Sequence, residues 1–175
     1  MFEKVNPSHP DKVADRIAGS IVDLAYQQEK RPKIAVEVLI GHGKCYIIIE
    51  ASSKIDEEKI IENVKRISEY EDIQVTIDQI AQDKRLAVNQ QENEFHCGDN
   101  GIFKGMPTTI EQQKLTDLVA KLYKSYQSDG KYIIDLPSKE IISCQSKVTS
   151  SELNSKIWDS TCEPSYFDWN LKTWT

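Results

Sequence analysis

The apolar positions of this chain repeat with two different periods, and the switches between them mark the elements. Val13, Ile17, Ile21 and Leu24 recur at helical spacing, which predicts one buried stripe on a helix reaching about Gln28. Ser8 is its expected cap, with Pro10 in the first turn and Asp11 completing a capping box. The period then drops to two. Ile34 to Ile40 and Cys45 to Ala51 alternate around Gly41-His42-Gly43-Lys44, a hairpin signal. Asp56 opens a second helix to about Tyr70, with Ile60, Ile61, Val64 and Ile67 on one side. Ile73, Val75 and Ile77 alternate with Gln74, Thr76 and Asp78 as a third strand.

Between Gln82 and Gly105 the periodicity fails, and a polar loop is expected there. Thr109 starts a further helix bearing Leu115, Leu118, Val119, Leu122 and Tyr126. Asp129-Gly130 turns it into a strand from Tyr132 to Leu136, followed by a short one from Ile141 to Gln145. These elements imply an α+β fold of small, largely antiparallel sheets with helices packed on one face. The expected organisation is a first α+β unit over 1–105, carrying a mobile loop at 82–100. A partial second unit follows over 106–150, then an aromatic-rich tail over 151–175. That tail holds Trp158, Trp169 and Trp174 beside Tyr166 and Phe167. Its aromatics either pack on the domain or form a docking surface for a partner.

Composition narrows the class. With 22 Lys+Arg against 28 Asp+Glu, the net charge is -6, and a nucleic-acid partner is not expected of a chain without a basic cluster. A membrane partner is not expected either, since no segment is long and apolar enough to span one. Cys45, Cys97, Cys144 and Cys162 are widely spaced and read as separate reduced thiols of a cytoplasmic protein.

Three places can carry chemistry. In the hairpin, antiparallel pairing sets Glu37 across from Ile48, so Glu50 shares the face of Glu37 at roughly 7–8 Å. The opposite face (Ile34, Val36, Val38, Ile40, Cys45, Ile47, Ile49) is wholly apolar and is the expected core side. A solvated outer face would tolerate the two acids. A covered one would require a cation, a cationic ligand or a shared proton. The second place is Ser8-His9-Pro10-Asp11-Lys12, a helix start whose amides and dipole suit an anion. There His9 and Lys12 could hold phosphates and Asp11 a bridging metal, although capping alone explains Ser8, Pro10 and Asp11. The third is Cys97-Gly98-Asp99-Asn100-Gly101. It is either a plain turn or a loop whose Asp99 accepts hydrogen bonds from sugar hydroxyls.

Taken together these segments resemble the methionine adenosyltransferase (S-adenosylmethionine synthetase) family, amino-terminal part. Ser8-His9-Pro10-Asp11-Lys12 is similar to the family's Gly-His-Pro-Asp-Lys. Val36-Glu37-Val38 falls at its Cys-Glu-Thr, and Ile49-Glu50-Ala51-Ser52 at its Gly-Glu-Ile-Thr. Gln82-Asp83-Lys84-Arg85-Leu86-Ala87 resembles its Gln-Ser-x-Asp-Ile-Ala, and Gly98-Asp99-Asn100-Gly101 opens a segment similar to its Gly-Asp-Gln-Gly.

The resemblance implies formation of S-adenosylmethionine from methionine and ATP, with triphosphate released as phosphate and diphosphate. His9 and Lys139 would be the catalytic groups. His9, Lys12 and Asp99 would contact ATP or its nucleoside, and Glu50 and Gln82 would hold methionine. Asp11 would bind Mg²⁺ and Glu37 K⁺. The departures are Ser8 for a glycine, a different Lys104 stretch, and Ser138 for an acid before Lys139. The chain is expected to stop near the family's midpoint, so a homodimer or a second chain would have to supply the remaining half. The alternative is a non-catalytic relative that binds nucleotide or an adenosyltransferase partner and regulates it.

Overall fold

The computed structural model describes residues 1–84, 106–135, 137–160 and 170–174. The chain forms two units. One joins Met1–Lys12 to Gly105–Thr175, and the other is Val13–Lys104. We call them the first and the second unit. The first twelve residues go with the later segment, because β1 (Phe2–Val5) pairs with β5 (Gly130–Asp135), its residues meeting partners 126 to 132 positions further along. No local pattern in the sequence announces so distant a partner.

In the second unit, α1 (Pro10–Gln28) carries its apolar stripe, followed by β2 (Ile34–Gly41), β3 (Lys44–Ala51), α2 (Glu57–Ser68) and β4 (Gln74–Ala81). The hairpin closes on two residues, His42 and Gly43, both at positive φ (49° and 74°), as a type I′ turn demands. Asp56 caps α2 by accepting the Glu58 N–H. The strand order is β2-β3-β4, with β2 and β3 antiparallel and β3 and β4 parallel. Only one face is packed. Ile17, Ile21, Ile60 and Val64 of the helices bury themselves on Val36, Cys45, Ile47 and Ile49 of the sheet, each contributing about 1.5–3 kcal/mol by removal from water.

The first unit repeats that order. It runs α3 (Ile110–Ser125), β5, β6 (Glu140–Gln145), α4 (Ser150–Ser160) and β7 (Asn170–Trp174). Thr109 caps α3 in a full capping box with Gln112. The strands lie in the order β1-β5-β6-β7, the last pair parallel. Leu115, Leu118, Leu122, Leu153 and Ile157 of the helices pack on Tyr132, Ile134 and Ile141. The expected partial unit is thus completed by the segment read as a tail, through α4 and β7. The expected α+β class with helices on one face is what forms. Each sheet is mixed, because a helical crossover returns its last strand parallel.

Candidate functional site

At the start of α1, the residue that caps the helix is His9 rather than Ser8. The His9 Nδ1 accepts the Asp11 N–H at 3.2 Å, and its carbonyl accepts the Lys12 N–H at 2.9 Å. The Asp11 carboxylate lies 3.8 Å from the same Nδ1 and would pair with it only on protonation. The shorter amide contact puts the ring proton on Nε2. Pro10, the first helical residue, has no N–H at all. The amides that a helix start normally offers an anion are therefore engaged by the protein itself. That leaves the imidazole Nε2–H and the helix dipole as anion-attracting features of this helix start. The His9 side chain is 17% exposed, and that of Asp11 is 80% exposed.

Ser8 is used differently. Its hydroxyl donates to the Gln127 carbonyl at 3.0 Å and lies 3.1 Å from the Tyr123 hydroxyl. The preceding Asn6 is fully buried and makes the turn. Its Oδ1 accepts the Ser8 N–H at 3.1 Å, and its carbonyl accepts the His9 N–H at 3.1 Å. Beside it, burial pushes the Tyr132 phenol up to about 12, with a hydrogen bond from Asn6 tempering the rise. Sequence reading missed this seat. Its signal, an Asn two residues before a Ser at a helix entry, is also the signature of an ordinary Asx turn.

Lys139 occupies a left-handed position (φ 54°) in the turn after β5. Because Val5 pairs with Lys131 and Phe2 with Ile134, the chain leaves β1 toward His9 at the Lys131 end of β5. Lys139 lies beyond the other end, after a strand segment of roughly 13 Å at 3.3 Å per residue. Lys131, at the end of β5 where β1 leaves toward His9, has its ammonium 3.1 Å from Glu3. Its place became visible only with the pairing of β1.

In the second unit the hairpin register is the expected one, with Glu37 opposite Ile48 and Ala35 opposite Glu50. Glu37 and Glu50 share the outer face, on the side away from Val36, Ile47 and Ile49. The parallel strand adds Asp78 beside Ile48 and Ile80 beside Glu50, so a third carboxylate joins them. Asp78 was legible as a strand residue, but its neighbour was not. This face leaves Leu39 70%, Tyr46 46%, Ile48 50% and Ile80 53% exposed. At its end the Glu50 Oε1 accepts the Asp83 N–H at 2.6 Å, which brings Glu50 to the segment holding Gln82. Asp99 and the rest of its loop lie outside the described residues.

A cleft of about 390 Å³ at the ends of β3 and β4 is bordered by Ser52, Lys54, Glu57 and Gln79, but Ser52 donates to Glu29 and the other three are joined to one another. Lys54 lies 3.3 Å from Glu57, and the Gln79 amide donates to both the Ile55 carbonyl and Glu57. Among the described residues, no three His, Cys, Asp or Glu side chains gather to hold a metal ion. A magnesium ion held mainly by substrate phosphates needs only one or two protein carboxylates, and the exposed Asp11 fits that mode. Glu37 fits a potassium site only as one contributor among others. No helix among the described residues is long and apolar enough to cross a membrane.

Comparison with known proteins covers the same segments. Residues 1–93 match the family described as S-adenosylmethionine synthetase, N-terminal domain. The chain is 34% identical over 120 residues to an S-adenosylmethionine synthase of Acholeplasma laidlawii, covering 59% of this chain and 31% of that one. It is 30% identical over 116 residues to the Helicobacter acinonychis S-adenosylmethionine synthase, covering 59% and 30%. The chain thus spans about a third of the length of the curated relatives it matches. In fold it is similar to an unusual S-adenosylmethionine synthetase from Campylobacter jejuni, with a TM-score of 0.62 at 20% identity, over 99% of this chain and 58% of that structure. With the family match spanning His9, Asp11, Glu37, Glu50 and Gln82 together, the chain belongs to the S-adenosylmethionine synthetase family.

Proposed function

We propose that this chain handles methionine and ATP as part of an adenosyltransferase and acts in the cytoplasm, with its site completed by a second copy or a second chain. The observation that carries the reading is the exposed outer face of β2, β3 and β4. Acids and large apolar side chains alternate there at the positions where the family match runs. Contiguous exposed apolar surface marks contact sites, and carboxylates among apolar groups attract cations once water is excluded.

In the proposed reaction the methionine sulfur attacks C5′ of the ATP ribose. An S–C5′ bond forms, the C5′–O5′ bond breaks, and the electron pair leaves with the triphosphate, which water then cleaves to phosphate and diphosphate. His9 donates its Nε2–H to the departing oxyanion, with Lys12 adding positive charge beside it. Lys139, the lysine to which the family resemblance points, adds further positive charge for the departing triphosphate. Glu50 binds the methionine ammonium, Gln82 contacts the same amino acid, and Asp99 is the nucleoside contact. Asp11 would hold Mg²⁺, which supplies neutralisation of phosphate charge, and Glu37 would contribute to a K⁺ site.

A second reading is a non-catalytic relative that binds nucleotide or a synthetase partner and regulates it. What favours it is the helix start itself, where Pro10 lacks an N–H and the next two amides are already bonded to His9. The discriminating assay follows S-adenosylmethionine formation from methionine and ATP with Mg²⁺ and K⁺. The purified chain is tested alone and mixed with a full-length relative. Product that His9→Ala abolishes supports the enzyme. ATP binding without product, together with an altered rate of the added relative, supports the regulator. Absence of both binding and product sinks the two readings together.

A further inference from the structure

The His9 turn is seated on more buried polarity than a helix start requires. One acceptor for one first-turn amide is enough to cap a helix. Here Asn6 and Gln145, both fully buried, share a single anchor. The Asn6 Nδ2 donates to the Ser128 carbonyl at 2.7 Å, and the Gln145 Nε2 donates to that same carbonyl at 2.7 Å and to the Ser128 hydroxyl at 2.8 Å. The Tyr132 hydroxyl donates to the Gln145 Oε1. The backbone joins in, with the Asn6 N–H donating to the Gly130 carbonyl at 2.9 Å. Position 130 is closed to any side chain. A Cβ there would sit 2.5 Å from the Gln145 Oε1, 2.6 Å from the Tyr132 hydroxyl and 2.7 Å from the Asn6 Nδ2.

An apolar seat would be simpler, since each buried amide left unsatisfied costs about 1–3 kcal/mol. What a polar seat adds is direction. Asn6 accepts from the amides of both Ser8 and His9, so it sets two successive peptide planes. The His9 ring is then turned by its own bond to the Asp11 N–H, leaving Nε2–H as its one donor.

We propose that Asn6, held from behind by Ser128, Gln145 and Tyr132, is a positioning residue that aims the His9 imidazole at a polyphosphate bound at the start of α1. The anion's identity rests on the adenosyltransferase reading, whereas the aiming of His9 does not. Asn6 touches no reacting atom, and its effect passes through the Ser8–His9 backbone. The outer Ser8 contacts with Tyr123 and Gln127 support the same turn from the other side.

The test uses the full chain and inorganic tripolyphosphate as the probe, with Asn6→Ala, Asn6→Ser and His9→Ala. Serine keeps an acceptor that reaches the Ser8 N–H in an ST turn. Imidazole ¹⁵N spectra report the His9 tautomer, with the signal assigned by its loss in His9→Ala, and calorimetry reports affinity. We expect Asn6→Ala to mix or broaden the His9 tautomer signals and to weaken tripolyphosphate about tenfold. Asn6→Ser should recover most of both, with the α3 and α4 amides unchanged throughout. A wild-type His9 signal in Asn6→Ala overturns the proposal, whatever binds. So does general loss of folded signals in both Asn6 variants, which would make the role one of stability only. If the unaltered chain ignores tripolyphosphate, the functional reading fails, and the imidazole spectra still decide the positioning claim.

Discussion

The two units run through the same order of helix, hairpin, helix and parallel strand, yet their outer sheet faces are finished in opposite ways. On the first unit, charged residues border the outer face. Lys131 pairs with Glu3 at 3.1 Å and Lys172 with Glu140 at 2.6 Å, on either side of the half-buried Ile133 and Ile142. On the second, Leu39, Tyr46, Ile48 and Ile80 stand open among Glu37, Glu50 and Asp78. Topology explains neither outcome, because it specifies only that one face is buried. The opposite face records what each sheet meets. An ion-pair ladder satisfies itself in water, whereas apolar groups interspersed with acids are suited to a partner that brings both surface and positive charge.

Adjacent residues of one strand put this contrast under the greatest load. Ile47→Ala should destabilise the second unit by about 4 kcal/mol, as buried Ile→Ala changes do, read by denaturant titration. Ile48→Ser, one position along, should leave the monomer within about 0.5 kcal/mol and instead reduce association measured by sedimentation. If Ile48→Ser unfolds the chain, the outer face is not an open surface.

The glycines sharpen the comparison next. Gly130→Ala should cost the first unit about 3 kcal/mol through overpacking against three polar atoms. Gly43→Ala should cost the second only about 1 kcal/mol. There the penalty is its left-handed φ of 74° together with a Tyr70 ring edge at 3.2 Å that can swing away. Comparable losses of melting temperature for the two variants would contradict the tight seat around position 130.

Alkaline pH separates the cores by their titrating groups. Burial pushes the Cys45 thiol of the second unit up to about 11 from 9.0, and it pushes the Tyr132 phenol of the first up to about 12 from 10.0. A raised folded value means the native state keeps a proton that the unfolded chain has released. The contribution is therefore whole below the unfolded value and lost as pH rises toward the folded one. Hydrogen exchange resolved by unit should show the second loosening between about pH 9 and 11 and the first between about pH 10 and 12. Cys45→Ala should flatten the earlier slope alone, and an unchanged slope would remove the thiol as its cause.

The smallest effect belongs to Lys172→Ala. It cuts an exposed pair, and exposed pairs contribute about 0–1 kcal/mol. Stability should barely change, and a loss beyond that range would mean the ladder on the first unit is a structural lock.

Much of the second unit could be read in advance because its information is local. The stripe from Val13 to Leu24, the Gly41–Lys44 turn and the cap at Asp56 each lie within a few residues of what they specify. The hairpin register followed from the turn and the apolar alternation, and with it the shared face of Glu37 and Glu50. The helix entry was legible as an entry but not in its bonding. Ser8 and Asp11 spell a capping box, while the competing acceptor, the His9 ring, is selected by a turn that Asn6 builds against Ser128 and Gly130.

By itself, then, the chain determined its periods, caps, hairpin and family-like motifs, because short-range sterics and the side on which apolar groups fall suffice for these. Tertiary structure alone decided which strands beyond the hairpin lie side by side. It set β1 against β5, Asp78 beside the outer acids, and α4 and β7 within the segment read as an aromatic-rich tail. Pairing across long stretches of chain is settled by the total surface buried and by the satisfaction of polar groups such as Asn6 and Gln145, and no local window of sequence contains that sum.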